Sequence, residues 1–406
     1  GLMGHGCIKR AKETMLSTRS TSLRHTSLRI LFALLTVFCI VTNCTTIDEE
    51  TTTTTTADGD VAATLKKEAM ESFELLRKAV ESEAGGYVHP SLGLLIPAPC
   101  GADRGLGVTT VQGAEDINDN NDVVLRIPLS YQMTRSLSLD TLTPLIPSHV
   151  LKMAPLDELD DAALLVLLLA HERGLGPESK FEAYIRSLPK EGGCGWWNTV
   201  MSMTNQRRAT PPLTATTPYP NLVSRNELLQ AVQYVSRVSK GMASDYASYL
   251  SQTNWPIEWR KDSSLAISWS LCIVSSRGTA ANHLSTSRNG NQRSIRNYRT
   301  ATRLVPLMDL VNHNANAGGF IELTGDEEND ENNKEKDEAN QKNNVGTFIV
   351  RSIWKNGTKR ELSSGTELFV NYNIPDFDAF EWFLSLGFIP PEVIDEYDDK
   401  RGKRGG

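Results

Sequence analysis

The chain has 406 residues, 39% of them hydrophobic and 22% charged, enough to build a substantial core as one large domain or two smaller ones with appendages. Its formal net charge of −7 argues against a nucleic-acid partner, because a phosphate-binding surface gathers a basic face. Six cysteines are present, but Cys7, Cys39 and Cys44 precede the body, leaving Cys100, Cys194 and Cys272. Three isolated thiols make no disulfide framework, and without a C-x-x-C or a Cys/His cluster neither a zinc site nor a redox pair is expected.

Residues 1–47 invert the overall charge: Lys9, Arg10, Lys12, Arg19, Arg24 and Arg29 stand against Glu13. The apolar run 30–42 that follows has signal-peptide length and is shorter than the about 20 residues that cross a bilayer comfortably. A secretory signal, or a membrane anchor spanning 28–44, is the leading expectation. A plastid-type transit function, alone or after the signal, is the alternative, because the stretch after Met15 is rich in Ser, Thr and Arg. The start at Gly1 implies an incomplete or wrongly extended N-terminus. Residues 48–60, with six consecutive threonines at 51–56, read as a disordered spacer.

Apolar residues at mostly three- and four-residue steps predict an amphipathic helix from Val61 to Ala84, ended by Gly85 and Gly86. Short strands follow at 92–96, 106–111 and 123–127, giving a β-rich lobe over 61–150. The consecutive apolar residues 162–170 predict a buried helix over 156–173, and helical patterns recur at 178–188, 225–252 and 262–277. A helical insert over 151–300 thus separates two β-rich pieces. A polar insertion spans 281–302, strands return at 345–354 and 366–372, and a helix runs from Asp376 to Leu386 within a C-terminal lobe over 301–390. The acidic stretch Gly325 to Asn344 reads as a mobile loop, and 391–406 as a tail. Asn-x-Thr sequons stand at Asn43 and Asn356.

Four segments carry candidate chemistry. Glycines 101, 105 and 107 permit a tight turn and close backbone approach before a strand. Arg277 ends the apolar helical segment that begins at Trp269. The run Arg303-Leu-Val-Pro-Leu-Met-Asp309-Leu-Val-Asn312-His313 finishes in polar groups that need partners if buried. The segment Gly365-Thr-Glu-Leu-Phe-Val-Asn-Tyr372 alternates toward a terminal phenol.

The ordered pair 303–313 and 365–372, with the glycine turn upstream, resembles the SET-domain protein methyltransferases, in the plant-type branch of the Rubisco large-subunit lysine methyltransferase and its non-histone relatives. The resemblance covers roughly 87–390. It implies an α+β fold of small β-sheets with a pseudoknot-like C-terminal strand, interrupted by a helical insert. It also implies S-adenosylmethionine as cofactor and a lysine-bearing protein as acceptor, in a monomer that needs no metal. By that resemblance Tyr372 is catalytic, and Arg104, Gly105, Leu106, Arg277, Asp309, Asn312 and His313 contact the cofactor, Arg277 at its carboxylate end. Departures are Arg104, where relatives commonly carry Glu, and Leu386, where an auxiliary Tyr often stands. The stop at Gly406 leaves almost no room for the helical substrate-binding domain of this branch. Two other readings are a catalytically inactive SET-fold binding module and a secreted module binding through its acidic loop.

Overall fold

In the computed structural model the described residues are 56–99, 104–109, 123–190, 194, 196–197, 222, 225–281, 301–323, 345–372 and 377–394. The targeting segment, residues 48–55 of the threonine-rich spacer, Gly101, Cys100, the centre of the polar insertion, the acidic loop and the tail beyond 394 lie outside them.

The first helix, α1 (Thr56–Ser82), begins before the expected Val61, so residues 56–60 extend a helix instead of belonging to a spacer. Alanines at 57, 62 and 63 favour that extension. Strand β1 (Tyr87–Val88) leads to a hairpin of β2 (Leu92–Leu95) and β3 (Gly105–Val108), with Leu92 opposite Val108 and Leu95 opposite Gly105. Strand β4 (Val123–Ile127) pairs antiparallel with β1 and with β9 (Phe348–Arg351), and β8 (Ile321–Glu322) closes a four-stranded antiparallel sheet in the order β1-β4-β9-β8. The architecture is α+β, with helices set between small sheets.

Helices α2 (Arg135–Leu142) and α3 (Ser148–Met153) begin within the stretch expected to be β-rich, so the helical part starts before residue 151; it continues through α4 (Asp161–Leu175), α5 (Glu182–Ser187), α6 (Arg225–Tyr246), α7 (Ile257–Lys261) and α8 (Ser264–Arg277). Helix α4 is apolar all round and buried from Ala162 to Glu172; it packs on α8, which is buried from Ser264 to Ser276. Arg173 lies over the rings of both Trp259 and Trp269, its guanidinium carbon 4.4 and 4.1 Å from their centroids. Trp255 donates to the Ala170 carbonyl at 2.8 Å and Trp269 to that of Pro189 at 2.9 Å, so both buried indoles are satisfied.

Cys194 and Cys272 form a disulfide, their Cα atoms 5.6 Å apart, which corrects the expectation of isolated thiols. Folding α8 against the segment that follows α5 brings together two residues separated by 78 positions, a proximity with no local sequence signature. Among the described residues no helix is long and apolar enough to cross a membrane, and the run 30–42 lies outside them.

Asp160 caps α4, its carboxylate accepting from the Ala163 amide at 2.9 Å. Burial pushes its pKa from 3.8 up to about 7; Asp161 adds to the shift, while the Ala163 amide and Arg135 oppose it. Between those values the folded state keeps a proton that the unfolded chain has released, so this group's contribution to stability is complete below pH 3.8 and is lost as pH rises through about 7. Asp160→Asn keeps the cap oxygen and cannot ionise. Between pH 5 and 8 its stability, read from the melting temperature, should therefore fall by about 1–2 kcal/mol less than the wild type's after solvent screening, because the decline owed to Glu367 is common to both; parallel declines would exclude Asp160 as the source.

Candidate active site

Helix α8 continues into β5 (Gly278–Ala281), paired antiparallel with β6 (Ala301–Leu304). From Leu304 at the end of β6 onward, the apolar residues Leu304, Val305, Leu307, Met308, Leu310 and Val311 are buried, and Leu307 has φ +67°. That conformation is rare for a branched side chain and persists because tight packing on all sides holds it. The turn swings Asp309 inward and aims the backbone into β7 (Asn312–His313).

Strand β10 (Phe369–Val370) lies parallel to β7, with Phe369 beside Asn312 and Val370 beside His313. Only these two residues of the expected strand 366–372 pair with β7. The preceding residues bond instead to β3: Leu368 N–H donates to Leu106 O at 2.7 Å, and Val108 N–H to Thr366 O at 2.9 Å. The two distant motifs and the glycine strand are thereby joined by backbone bonds alone.

Side chains reinforce the junction. The Asn312 amide donates to Arg104 O at 3.1 Å and to Glu367 Oε1 at 2.5 Å, which fixes its orientation. A Cβ at position 105 would sit 2.5 Å from Glu367 Oε1 and 2.6 Å from Asn312 Nδ2, so a side chain there would wedge the three segments apart. The glycine is thus required by the protein's own side chains. Glu367 is buried, and burial pushes its carboxyl up to about 7 against the Asn312 bond and the Arg360 charge.

Arg277 Nη1 donates to Asp309 Oδ2 at 2.7 Å and to Asp309 O at 3.0 Å. Among the described residues Arg277 Nε and Asp309 Oδ1 are buried without hydrogen-bond partners. One is a donor on a cation and the other an acceptor on an anion. A carboxylate and an ammonium, the two groups at the amino-acid end of S-adenosylmethionine, match them in charge and in donor and acceptor type. Tyr184 on α5 is fully buried behind this pair, and burial, with Asp309 adding, raises its phenol well above the ordinary value.

The last side of the site is aromatic. Tyr372 is buried and donates to the Val311 carbonyl at 2.5 Å. His313 Nδ1 accepts from the Tyr372 amide at 3.3 Å, so the ring proton sits on Nε2, facing Glu392 Oε1 at 3.0 Å. That contact holds the Glu392 carboxyl below its usual range, against burial. The His313 ring lies 4.8 Å from Tyr372 and 5.7 Å from Trp382, which is on α9 (Ala379–Leu386). His313 therefore positions the tyrosine. Its imidazole is taken up by protein partners, unlike Arg277 and Asp309 with their unpartnered atoms.

All eight residues singled out from the sequence line this region: Arg104, Gly105 and Leu106 on or beside β3, Arg277 at the end of α8, Asp309, Asn312 and His313 around β7, and Tyr372 just beyond β10. Sequence reasoning missed Glu367, Glu392 and Trp382. A charged residue between apolar neighbours in a strand was the available signal for Glu367; Glu392, in a predicted tail, carried none.

No family model matches the chain, and no curated protein does. Solved structures do. The chain is similar to the SET domain of LSMT bound to lysine and AdoHcy, at 14% identity over 79% of this chain and 57% of that one, with a TM-score of 0.47. It is also similar to Rubisco LSMT bound to AdoMet, at 15% identity over 79% and 57% of the two chains, with a TM-score of 0.45. Against Rubisco LSMT bound to sinefungin and monomethyllysine the values are 15%, 79%, 56% and 0.43. This chain thus spans less than two thirds of those it matches.

Proposed function

We propose that this protein is an S-adenosylmethionine-dependent methyltransferase acting on a side-chain amine, with a lysine of a non-histone protein as acceptor. The observation that carries the reading is the parallel pairing of 369–370 with 312–313, which brings the Tyr372 phenol against Val311 within the wall formed by Gly105, Asn312 and the Arg277–Asp309 pair.

When bound, the cofactor supplies a methyl group on a positively charged sulfur, an electrophile that requires no metal. Arg277 Nε and Asp309 Oδ1 would hold its carboxylate and ammonium. Gly105 and Leu106, bonded to β2 on one side with Leu106 held by Leu368 on the other, back the site, and Asn312 holds the Arg104 carbonyl beside them. The acceptor lysine must first shed a proton, at a cost of about 4–5 kcal/mol near neutral pH. The buried surroundings of Tyr372 favour the neutral amine. With its own proton given to Val311, the Tyr372 oxygen receives an amine N–H and turns the nitrogen lone pair along the line of attack; such alignment is the main requirement of a single displacement.

Calorimetric titration of the full chain with S-adenosylmethionine, followed by transfer of labelled methyl groups into a protein extract, tests this. Absence of binding would sink it, whereas binding without transfer under any acceptor supply would favour the inactive SET-fold binding module. From residues 1–47 alone, and separately from the methyl-transfer reading, we propose entry into the secretory pathway as a secreted or membrane-anchored protein, with the plastid as the alternative after processing.

A further inference from the structure

The sequon Asn356-Gly357-Thr358 lies at the tip of the turn that follows β9, with residues 355–359 exposed. The turn is well defined. Trp354 N–H donates to Thr358 O and Gly357 N–H to Trp354 O, both at 2.8 Å, and Ile353 bridges to Lys359. Gly357 has φ +81°, and a Cβ placed there would meet nothing within 4 Å, so the tip stands clear of the body. Thr358 donates twice to the Asn356 carboxamide oxygen, from its hydroxyl at 2.6 Å and its amide at 3.0 Å. Asn356 Nδ2 has no hydrogen-bond partner among the described residues.

Independently of the methyl-transfer reading, we propose that Asn356 is an N-glycosylation site and that the folded body passes through an oxidising, lumenal compartment. An amide nitrogen is a poor nucleophile because its lone pair is delocalised onto the carbonyl. Two donors on Oδ1 stabilise the imidate form, in which that pair returns to Nδ2. This is the chemical reason the motif requires a hydroxyl two residues on. The donor is a lipid-linked oligosaccharide pyrophosphate. A bond forms from Nδ2 to the anomeric carbon, the carbon–oxygen bond to the pyrophosphate breaks, the pyrophosphate leaves with the electron pair, and the transferase's base takes the Nδ2 proton. Two observations away from the turn point to the same compartment: the Cys194–Cys272 disulfide, of a kind that persists where thiols are not kept reduced, and the basic segment with its apolar run at 30–42. A glycan at this tip displaces no packed side chain and leaves the four-stranded sheet intact.

The test expresses residues 1–406 in a secreting eukaryotic cell, once behind an added initiator methionine alone and once behind a cleavable secretion signal. Peptide mass spectrometry after enzymatic deglycosylation in water labelled with heavy oxygen reads modification as conversion of Asn356 to labelled aspartate, which separates it from spontaneous deamidation of the Asn356-Gly357 pair. Both forms should carry the glycan; Asn356→Gln and Thr358→Ala should lose it, and Thr358→Ser, which keeps both donors, should retain it. The Thr358→Ser result separates loss of the hydroxyl from damage to the turn. An unmodified Asn356 in secreted, disulfide-bonded protein overturns the site. Modification only behind the added signal overturns residues 1–47 as the segment that directs entry.

Discussion

Tyr372→Phe should bind S-adenosylmethionine as tightly as the wild type and transfer methyl groups about 10²–10³-fold more slowly. The ring would still stack on His313, whose centroid lies 4.8 Å away, and the backbone amide would still reach His313 Nδ1, so the wall built by β7 and β10 survives. Only the oxygen is removed, and with it the group that orients the incoming amine. The lost bond to Val311 leaves a buried carbonyl without that donor, at a cost of about 1 kcal/mol in stability, small beside the catalytic loss. Calorimetry, turnover and melting temperature measured on one preparation separate the two effects. Undiminished turnover would remove Tyr372 from the chemistry, and loss of cofactor affinity would make it a binding residue.

Reduction of Cys194–Cys272 should destabilise the fold by about 4.5 kcal/mol, the loop-closure entropy of a loop of 78 residues. For a domain of this size that corresponds to roughly 9–18 °C in melting temperature. The bond joins the middle of α8 to the segment after α5, and five residues further along α8 ends in Arg277. Loosening the helix should therefore raise the dissociation constant for S-adenosylmethionine as well as lower the melting point. The double variant Cys194→Ser, Cys272→Ser should reproduce the reduced protein and no longer respond to dithiothreitol. A wild type whose melting curve ignores reductant carries no such cross-link.

Much of this was legible because the relevant signals are local. Nine consecutive apolar residues from Ala162 announce a buried helix, and the paired glycines after α1 announce its end. The segments 303–313 and 365–372 were legible as motifs, yet their pairing was not. Their parallel contact spans two residues, too short for a periodic signal, and most of the expected strand bonds to β3 instead. Helices α2 and α3 went unread because their Ser, Thr and Pro content resembles loop, and tertiary burial of Leu142 and Val150 overrides it. The disulfide and the buried Glu367 depend on contacts between distant positions. Composition and spacing cannot express such contacts.

Parallel pairing of β10 with β7 also has a consequence for how the molecule is made. Asn312 meets Glu367 across 55 residues, so at about 5–20 residues per second a ribosome needs about 3–11 s between delivering the two. Throughout that interval the Arg277–Asp309 pair and the β5–β6 hairpin can already exist, while Tyr372 has not been synthesised. The nascent chain can thus assemble its anchor for an amino-acid end before it has any acceptor wall. A stop codon anywhere in that stretch would release a protein with half of the anchoring wall and none of the chemistry.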